Sequence, residues 1–279
     1  MDFSLEPFIL GVVQGLCEFL PVSSSGHLAL LQNFWGFGQG SEQLVAFDLM
    51  LHCATMGVVL LFFRREIGRI LVQWTSGLFS REARRSEGWA WGWYILLGTL
   101  LTGLVGLPLR GLVERMMSSP LAVGCGFLLT AGLLALVPLL AERTGQLPVS
   151  GGPMRGLKIA AIVGVVQGLA VLPGVSRSGS TIAAGLLLGL AVASAFQFSF
   201  LLSVPAILGA SLLEAVKLCR SEALALPPGW LWAVAAAFVT GWIALALMRR
   251  LVLSGRWAYF GLYCLVLGSV AVLASLEIF

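Results

Sequence analysis

The sequence predicts an all-α polytopic membrane protein built as an inverted-topology repeat. Three observations support this fold class: 58% of the 279 residues are apolar and only 11% are charged, several apolar runs are long, and one hexapeptide occurs twice. Such a composition is typical of integral membrane proteins and not of soluble domains. We therefore expect about six transmembrane helices and two re-entrant helical hairpins.

Six apolar runs each hold roughly the 20 residues that a helix needs to cross the hydrocarbon core. They lie at 47–62, 89–109, 119–141, 196–216, 229–248 and 257–276. The first residues, MDFSLEPFIL, lack the basic segment and cleavage site of a signal peptide, so we expect them in the mature chain. The five cysteines form no CxxC pair. We interpret them as small buried hydrophobic residues, with neither disulfides nor zinc.

Basic residues in the connections predict the orientation. The connections 64–88, 142–158 and 249–256 carry twelve Lys and Arg, whereas the alternate connections carry only Arg110, Arg115, Lys217 and Arg220. The positive-inside rule places the first group in the cytoplasm and both chain ends outside. The net charge of +4 therefore reports topology, and we expect no nucleic-acid partner.

The repeated hexapeptide GVVQGL, at 11–16 and 164–169, predicts an internal duplication. Ten of the eighteen positions in 11–28 and 164–181 are identical. Three predicted spans separate the copies, so the second copy enters the membrane in the opposite direction. We predict a first repeat at 1–157, with a re-entrant hairpin at about 5–37, and a second repeat at 158–279, with its hairpin at about 158–192.

Each copy has the pattern of a broken hairpin: a short apolar arm, Leu-Pro, a turn rich in Ser and Gly, and a second short arm. Proline interrupts a helix, while Gly26 and Gly179 permit a tight backbone. Irregular backbone at membrane depth requires cover from protein or water. We therefore expect two re-entrant tips that face one another from opposite sides.

Meeting tips would gather a carboxylate, an amide, an imidazole, hydroxyls and a guanidinium in one pocket. Arg177 beside the N–H groups of helix starts is a site for a phosphate or another oxyanion. Glu18 and Gln14, four residues apart on one helix face, offer oxygen ligands for a hard cation such as Mg²⁺ or Ca²⁺. Ser24 and His27 offer a nucleophile and a base. The set favours phosphoryl chemistry.

Simpler interpretations exist for several of these residues. Serines in membrane helices often only bond the backbone or a neighbouring helix. An ionisable group inside the membrane costs ~2.5 kcal/mol or more, so Glu18 and Arg177 indicate function, with a structural ion pair as the alternative. We expect His52 to be a packing or supporting group and Asp48 a helix-end charge.

The alternative to an enzyme of phosphoryl chemistry is a transporter or flippase of a phosphorylated lipid. Inverted repeats with paired re-entrant tips also occur in alternating-access carriers. A non-catalytic lipid-binding protein is disfavoured, since it would not need two costly intramembrane charges. Release of inorganic phosphate by the purified protein distinguishes an enzyme from these alternatives.

Three segments resemble the bacterial undecaprenyl pyrophosphate phosphatase family, which is also associated with bacitracin resistance: QGLCEFLPVSSSGH (14–27), LPGVSRSGSTIAAGLLLG (172–189) and FSFLLSVPAILGA (198–210). The resemblance implies hydrolysis of undecaprenyl pyrophosphate to the monophosphate, with a divalent cation, in the bacterial inner membrane. It also implies a homodimer. We expect the site to open to the periplasmic or outer side. Two departures are Gln197 and Cys264, where the family often has Glu and Arg.

The family motifs carry over to particular residues of this chain. The resemblance implies a catalytic role for Glu18, Ser24, His27 and Arg177. It also implies that Gln14 and Glu18 are the metal ligands. It implies substrate binding by the second motif and the first serine of the turn, that is by Ser23, Gly174, Ser176, Arg177, Ser178 and Thr181. Whether Ser24 attacks, or a water activated by His27 or Glu18, stays open at this point.

Overall fold

The computed structural model describes residues 5–36, 42–141, 153–220, 226–254 and 256–277. Twelve α-helices occupy these ranges: α1 (Leu5–Phe19), α2 (Ser24–Phe34), α3 (Glu42–Phe62), α4 (Arg64–Phe79), α5 (Glu87–Gly106), α6 (Arg110–Met117), α7 (Pro120–Ala141), α8 (Pro153–Leu169), α9 (Arg177–Leu187), α10 (Val192–Arg220), α11 (Trp230–Leu253) and α12 (Ala258–Glu277). The first four residues, on which the prediction about the chain start rests, lie outside the described residues. So does Arg143, one of the basic residues counted in the connection 142–158.

Six helices of the described part are long and apolar enough to cross a bilayer, and they coincide with the six predicted spans. They are α3, α5, α7, α10, α11 and α12. The largest shift of a single bound is five residues, at the start of α3 and at the end of α11, while α10 extends four residues beyond the predicted run at each end and contains Pro205. A proline is tolerated in a membrane helix because neighbouring groups satisfy the freed carbonyl. The all-α polytopic fold class is thus confirmed.

The connection 64–88, whose arginines were counted above for the orientation, is largely helical. Only Phe63 separates the end of α3 from the start of α4, which packs along α5. The indole of Trp89 lies against Gly77, and that of Trp74 lies against Gly92. Helix α4 carries three of the arginines that were counted for topology. A search for uncharged apolar runs of span length therefore does not detect α4.

The cysteine interpretation is correct in one respect and wrong in another. All five cysteines are free thiols, so no disulfide forms. Only Cys264 is buried, whereas Cys53, Cys125 and Cys219 are exposed. These three lie on the spanning helices α3, α7 and α10, where an exposed apolar side chain faces lipid and needs no protein cover.

Both copies of the duplicated segment fold as a broken hairpin. In the first copy α1 precedes a turn and α2; in the second copy α8 precedes a turn and α9. Helices α2 and α9 each have 11 residues, or roughly 16 Å at 1.5 Å per residue, about half of the hydrocarbon core. Helix α8 begins at 153, so the second hairpin starts before the predicted position of 158. The full repeat boundaries stay predictions.

The duplicated glycines hold the first arm of each hairpin against a spanning helix. Helix α1 packs on α11, and α8 packs on α5. A Cβ atom on Gly11 would collide with the backbone of Ala233 in α11, and one on Gly164 would lie 2.7 Å from the Cα atom of Gly98 in α5. Small residues that let helix backbones approach are the usual means of packing helices in lipid. The two hairpins are thereby fixed in matching surroundings.

Replacing Gly11 by alanine should destabilise the protein, because the added methyl group has no room beside Ala233 and overpacking costs about 1–3 kcal/mol. Gly103 is the matched control: it also lies in a helix, but no neighbouring side chain or helix comes within 4 Å of where its Cβ atom would lie. Gly103→Ala should therefore leave stability unchanged or raise it. Thermal unfolding of the detergent-solubilised variants measures both effects. Equal melting temperatures for the two variants would contradict the packing described.

Candidate active site

The tips of the two hairpins are in contact. The backbone of Gly26 in the first tip lies against Gly174 in the second, where an added Cβ atom would be 2.8 Å from the Gly174 Cα atom. Gly174 has φ +84°, a conformation that favours glycine. The Ser178 hydroxyl of the second tip donates to the carbonyl of Leu20 in the first, at 3.3 Å. The polar residues of the two motifs therefore share one site.

Equivalent serines cap the second helix of each hairpin. Ser23 is the N-cap of α2 and accepts from the N–H of Gly26; Ser176 is the N-cap of α9 and accepts from the N–H of Gly179. Ser23 has φ +65°, the only positive φ of a non-glycine residue in the described part. Both helices begin at the contact between the tips. Their positive ends and the free N–H groups of their first turns therefore lie at the same site.

A buried ion pair joins the two tips. Arg177 Nη2 donates to Glu18 Oε1 at 2.6 Å, and the two side chains are only 16% and 8% exposed. The guanidinium also lies over the ring of Phe200, with 5.9 Å between its central carbon and the ring centroid. Neither charge would be tolerable here alone, because an unpaired buried ion loses its hydration without compensation. Each hairpin supplies one member of the pair.

The second oxygen of Glu18 accepts from two side chains of the first hairpin. Ser24 Oγ donates to Oε2 at 2.7 Å, and Gln14 Nε2 donates to the same atom at 3.1 Å. Gln14 Nε2 also lies 2.8 Å from Nδ1 of His52 in α3. The His52 ring is 3.8 Å from Glu18 Oε2. His52 thus supports the site through Gln14 and Glu18, as one of the two interpretations from the sequence allowed.

The contacts of His27 differ from those that the nucleophile–base hypothesis requires. His27 Nδ1 lies 2.7 Å from the carbonyl oxygen of Ser23, and Nε2 lies 2.7 Å from the hydroxyl of Tyr263 in α12. A carbonyl only accepts, so Nδ1 carries a proton, and in the neutral imidazole Nε2 then accepts from the Tyr263 hydroxyl. Both ring nitrogens are therefore engaged away from Ser24. In this arrangement the group positioned to take the Ser24 proton is Glu18.

A small cavity of about 40 Å³ lies between the tips. Its lining combines residues of both hairpins: Cys17, Glu18, Ser23, Ser24, Ser25, Ala170, Val175, Ser176, Arg177 and Ser178. Among the residues that the structure describes, two buried polar atoms of the site have no hydrogen-bond partner, Arg177 Nη1 and Gln14 Oε1. Because a buried polar atom without a partner is costly, each is a point where a bound ligand would be stabilised.

Two residues predicted to bind substrate do not line this cavity. The Thr181 hydroxyl bonds the hydroxyl of Ser199 in α10 at 2.6 Å and the carbonyl of Arg177 at 2.8 Å. The backbone of Gly174 packs against α7, close to Val123 and Phe127. Both residues therefore support the second tip through contacts with neighbouring helices. Their direct contact with substrate stays a prediction.

Two residues outside the motifs hold the tips, and neither was predicted from the sequence. Thr130 Oγ1 in α7 accepts from the N–H of Ser176 at 2.9 Å and donates to the carbonyl of Gly174 at 2.8 Å. Tyr263 in α12 contacts His27, as described above. Thr130 and Tyr263 each lie in an apolar span, far in sequence from the tip that they contact. Their local sequence therefore gives no indication of this role.

The predicted metal ligands are adjacent, but they do not form a complete metal site alone. In the described ranges no cluster of three or more His, Cys, Asp and Glu is arranged to hold a metal ion. Gln14 Oε1 is free to accept a cation, whereas the charge of Glu18 is shared with Arg177. Mg²⁺ is commonly held by one or two carboxylates together with substrate phosphates. The donor set therefore fits a hard cation that a phosphate ligand also binds.

The two departures from the family pattern lie outside the lining of the cavity. Neither Gln197 nor Cys264 lines it. Cys264 is fully buried within the core of apolar side chains. A thiol packs there as a small hydrophobic group.

Comparisons with known proteins agree with the motifs. The family model described as bacitracin resistance protein BacA matches residues 7–270. An undecaprenyl-diphosphatase of Desulfosudis oleivorans is 44% identical over 95% of this chain and 96% of its own length. Undecaprenyl-diphosphatases of Parabacteroides distasonis and Methanosphaera stadtmanae are 40% and 37% identical, each over 97% of this chain and 98% of their own. The chain belongs to the BacA family of bacitracin resistance proteins.

Proposed function

We propose that this multi-pass membrane protein hydrolyses undecaprenyl diphosphate to undecaprenyl phosphate and inorganic phosphate. This reaction recycles the lipid carrier for cell-wall synthesis and accounts for a link to bacitracin resistance. The observation that carries the proposal is the largely buried, hydrogen-bonded cluster of Ser24, Glu18 and Arg177 between two helix starts. The family and the full-length relatives named undecaprenyl-diphosphatase support the same substrate.

The diphosphate would bind on the Arg177 side of the cavity. Arg177 Nη1 has no hydrogen-bond partner in the described part of the chain, so it can donate to a phosphate oxygen while Nη2 stays on Glu18. The hydroxyls of Ser176 and Ser178 and the positive ends of α2 and α9 surround the same space. Guanidinium groups and helix starts are strong oxyanion ligands in a site with little water. They offset the charge that develops in a loose phosphoryl-transfer transition state.

Ser24 is the nucleophile in this proposal, and Glu18 is its base. Ser24 Oγ already donates to Glu18 Oε2, so the carboxylate can take the proton as the oxygen attacks the terminal phosphorus. The bond from that phosphorus to the bridging oxygen breaks, and undecaprenyl phosphate leaves. Water then cleaves the phosphoserine and releases inorganic phosphate. His27 enters this scheme through the Ser23 carbonyl, which it holds beside Ser24.

A divalent cation, Mg²⁺ or Ca²⁺, would be held by Gln14 Oε1 and the Glu18 carboxylate together with oxygens of the diphosphate. When bound, such a cation neutralises phosphate charge and orients the group that is transferred. The residues of the chain then hold the Ser24 hydroxyl and the Arg177 guanidinium on either side of the substrate.

The surroundings of the site suit a polyprenyl substrate. The polar head group would occupy the cavity, while the apolar tail would pass sideways between helices into lipid. We place the protein in the bacterial inner membrane, with the site open to the periplasmic side. We also propose that it forms a homodimer.

The orientation is tested by labelling two cysteines at opposite ends of α5. In a cysteine-free background, Arg115→Cys in α6 should react with an impermeant reagent in intact spheroplasts. Glu82→Cys, in the basic connection between α4 and α5, should react only after the cells are opened, because that connection is expected in the cytoplasm. Labelling of both cysteines from outside would contradict the assignment.

The proposed reaction is tested by phosphate release from undecaprenyl diphosphate in detergent. The purified wild-type protein should release inorganic phosphate, and Ser24→Ala should lower kcat by roughly 10⁴-fold or more, since it removes a nucleophile that acts with its base as a unit. Ser25→Ala is the matched control. Its hydroxyl faces Ser23 rather than Glu18, so the loss should be less than roughly tenfold.

Rapid acid quenching followed by mass spectrometry should detect phosphate on Ser24 during turnover. An active protein whose Ser24→Ala variant keeps the wild-type rate would exclude the serine as nucleophile. Lipid transport without phosphate release would replace the hydrolase proposal with the flippase alternative.

A further inference from the structure

We infer that Tyr263 is a positioning residue for the first hairpin tip and that it acts through His27. The inference rests on the proposed hydrolysis. It starts from the 2.7 Å contact between the Tyr263 hydroxyl and His27 Nε2. Tyr263 belongs to neither motif and lies 236 residues away from His27 in sequence.

The hydrogen bonds select one of the two tautomers of a neutral His27. The Ser23 carbonyl lies at Nδ1 and can only accept, so Nδ1 carries the proton and the Tyr263 hydroxyl donates to Nε2 of the neutral ring. The two rings are parallel, with an interplanar angle of 4° and centroids 5.6 Å apart. The edge of Phe127 closes the site from α7, with a centroid distance of 4.9 Å. The imidazole therefore has its plane, its position and its tautomer fixed by three elements.

Fixing His27 matters because the carbonyl that it holds belongs to a strained residue. Ser23 has φ +65°, a conformation that is unfavourable for a non-glycine residue and persists only where its surroundings enforce it. Ser23 is also the N-cap of α2, and the next residue is Ser24. A chain of contacts therefore runs from Tyr263 through His27 and Ser23 to the serine that faces Glu18.

Thr130 provides an independent parallel on the other tip. It bonds the backbone on both sides of Val175, at Gly174 and Ser176, just before Arg177. Thr130 lies in α7 and Tyr263 in α12, and these two helices pack together. Each tip is thus held by a polar side chain that comes from the opposite half of the chain. Supporting contacts of this kind keep the reacting groups of a site in the geometry that the reaction requires.

Tyr263→Phe tests the inference because it removes only the hydroxyl and keeps the ring that lies parallel to His27. Tyr259→Phe is the matched control: it lies one turn earlier on α12, and its side chain is 73% exposed. With undecaprenyl diphosphate as substrate, Tyr263→Phe should lower kcat by roughly tenfold and leave KM within about twofold, as expected for one lost hydrogen bond to a positioning group. Tyr259→Phe should match the wild-type protein.

A spectroscopic measurement reports the contact without relying on activity. The chain has only two histidines, so ¹⁵N-histidine labelling gives two rings, and His27→Gln identifies the signals of His27. In the wild-type protein Nδ1 should be protonated and Nε2 should be an acceptor. The Nε2 resonance should move in Tyr263→Phe and stay in place in Tyr259→Phe.

The outcomes separate the inference from the proposed function. A moved Nε2 resonance together with the kcat loss supports the inference. An unmoved resonance, or a wild-type kcat in Tyr263→Phe, overturns it while the hydrolase stands. A wild-type protein that releases no phosphate overturns the proposed function, and with it the catalytic relevance of the contact that the resonance reports.

Discussion

The ion pair between Glu18 and Arg177 is the interaction on which the rest of the site depends. Its members come from the two hairpin tips, lie in largely buried positions and are separated by 2.6 Å. Each charge makes the other tolerable at membrane depth, so the pair also fixes how the tips meet. Ser24 then has its acceptor at hydrogen-bond distance before any substrate arrives. Such preorganisation is a main source of catalytic power.

The duplication explains how two similar hairpins make one asymmetric site. When the two copies are aligned, Ser23 corresponds to Ser176, and both are N-caps. Ser24 corresponds to Arg177, so the proposed nucleophile and the anion-binding guanidinium occupy the same position on the two tips. Glu18, by contrast, corresponds to the apolar Val171. The carboxylate is therefore supplied once, and the polar centre is displaced toward the first hairpin.

Much of this arrangement could be predicted from the sequence. Span length, composition and the repeated hexapeptide sufficed for the six spanning helices, the two hairpins and the meeting of their tips. The partners within the site could not be predicted, since Ser24 and His27 are close in sequence but bond Glu18 and Tyr263 instead. Thr130 and Tyr263 carry no local pattern, because packing between distant helices alone makes them neighbours of the tips. Helix α4 escaped detection because it is amphipathic and shorter than a span.

A double-mutant cycle on stability tests the central claim most directly. Glu18→Gln and Arg177→Gln, each measured by thermal unfolding in detergent, should leave one buried charge unpaired and lower stability by about 3–5 kcal/mol. The double variant should be more stable than the sum of the two losses implies, by more than ~1 kcal/mol, since it leaves neither charge behind. Strictly additive losses would show that the two side chains do not interact, and would contradict a site organised by this pair.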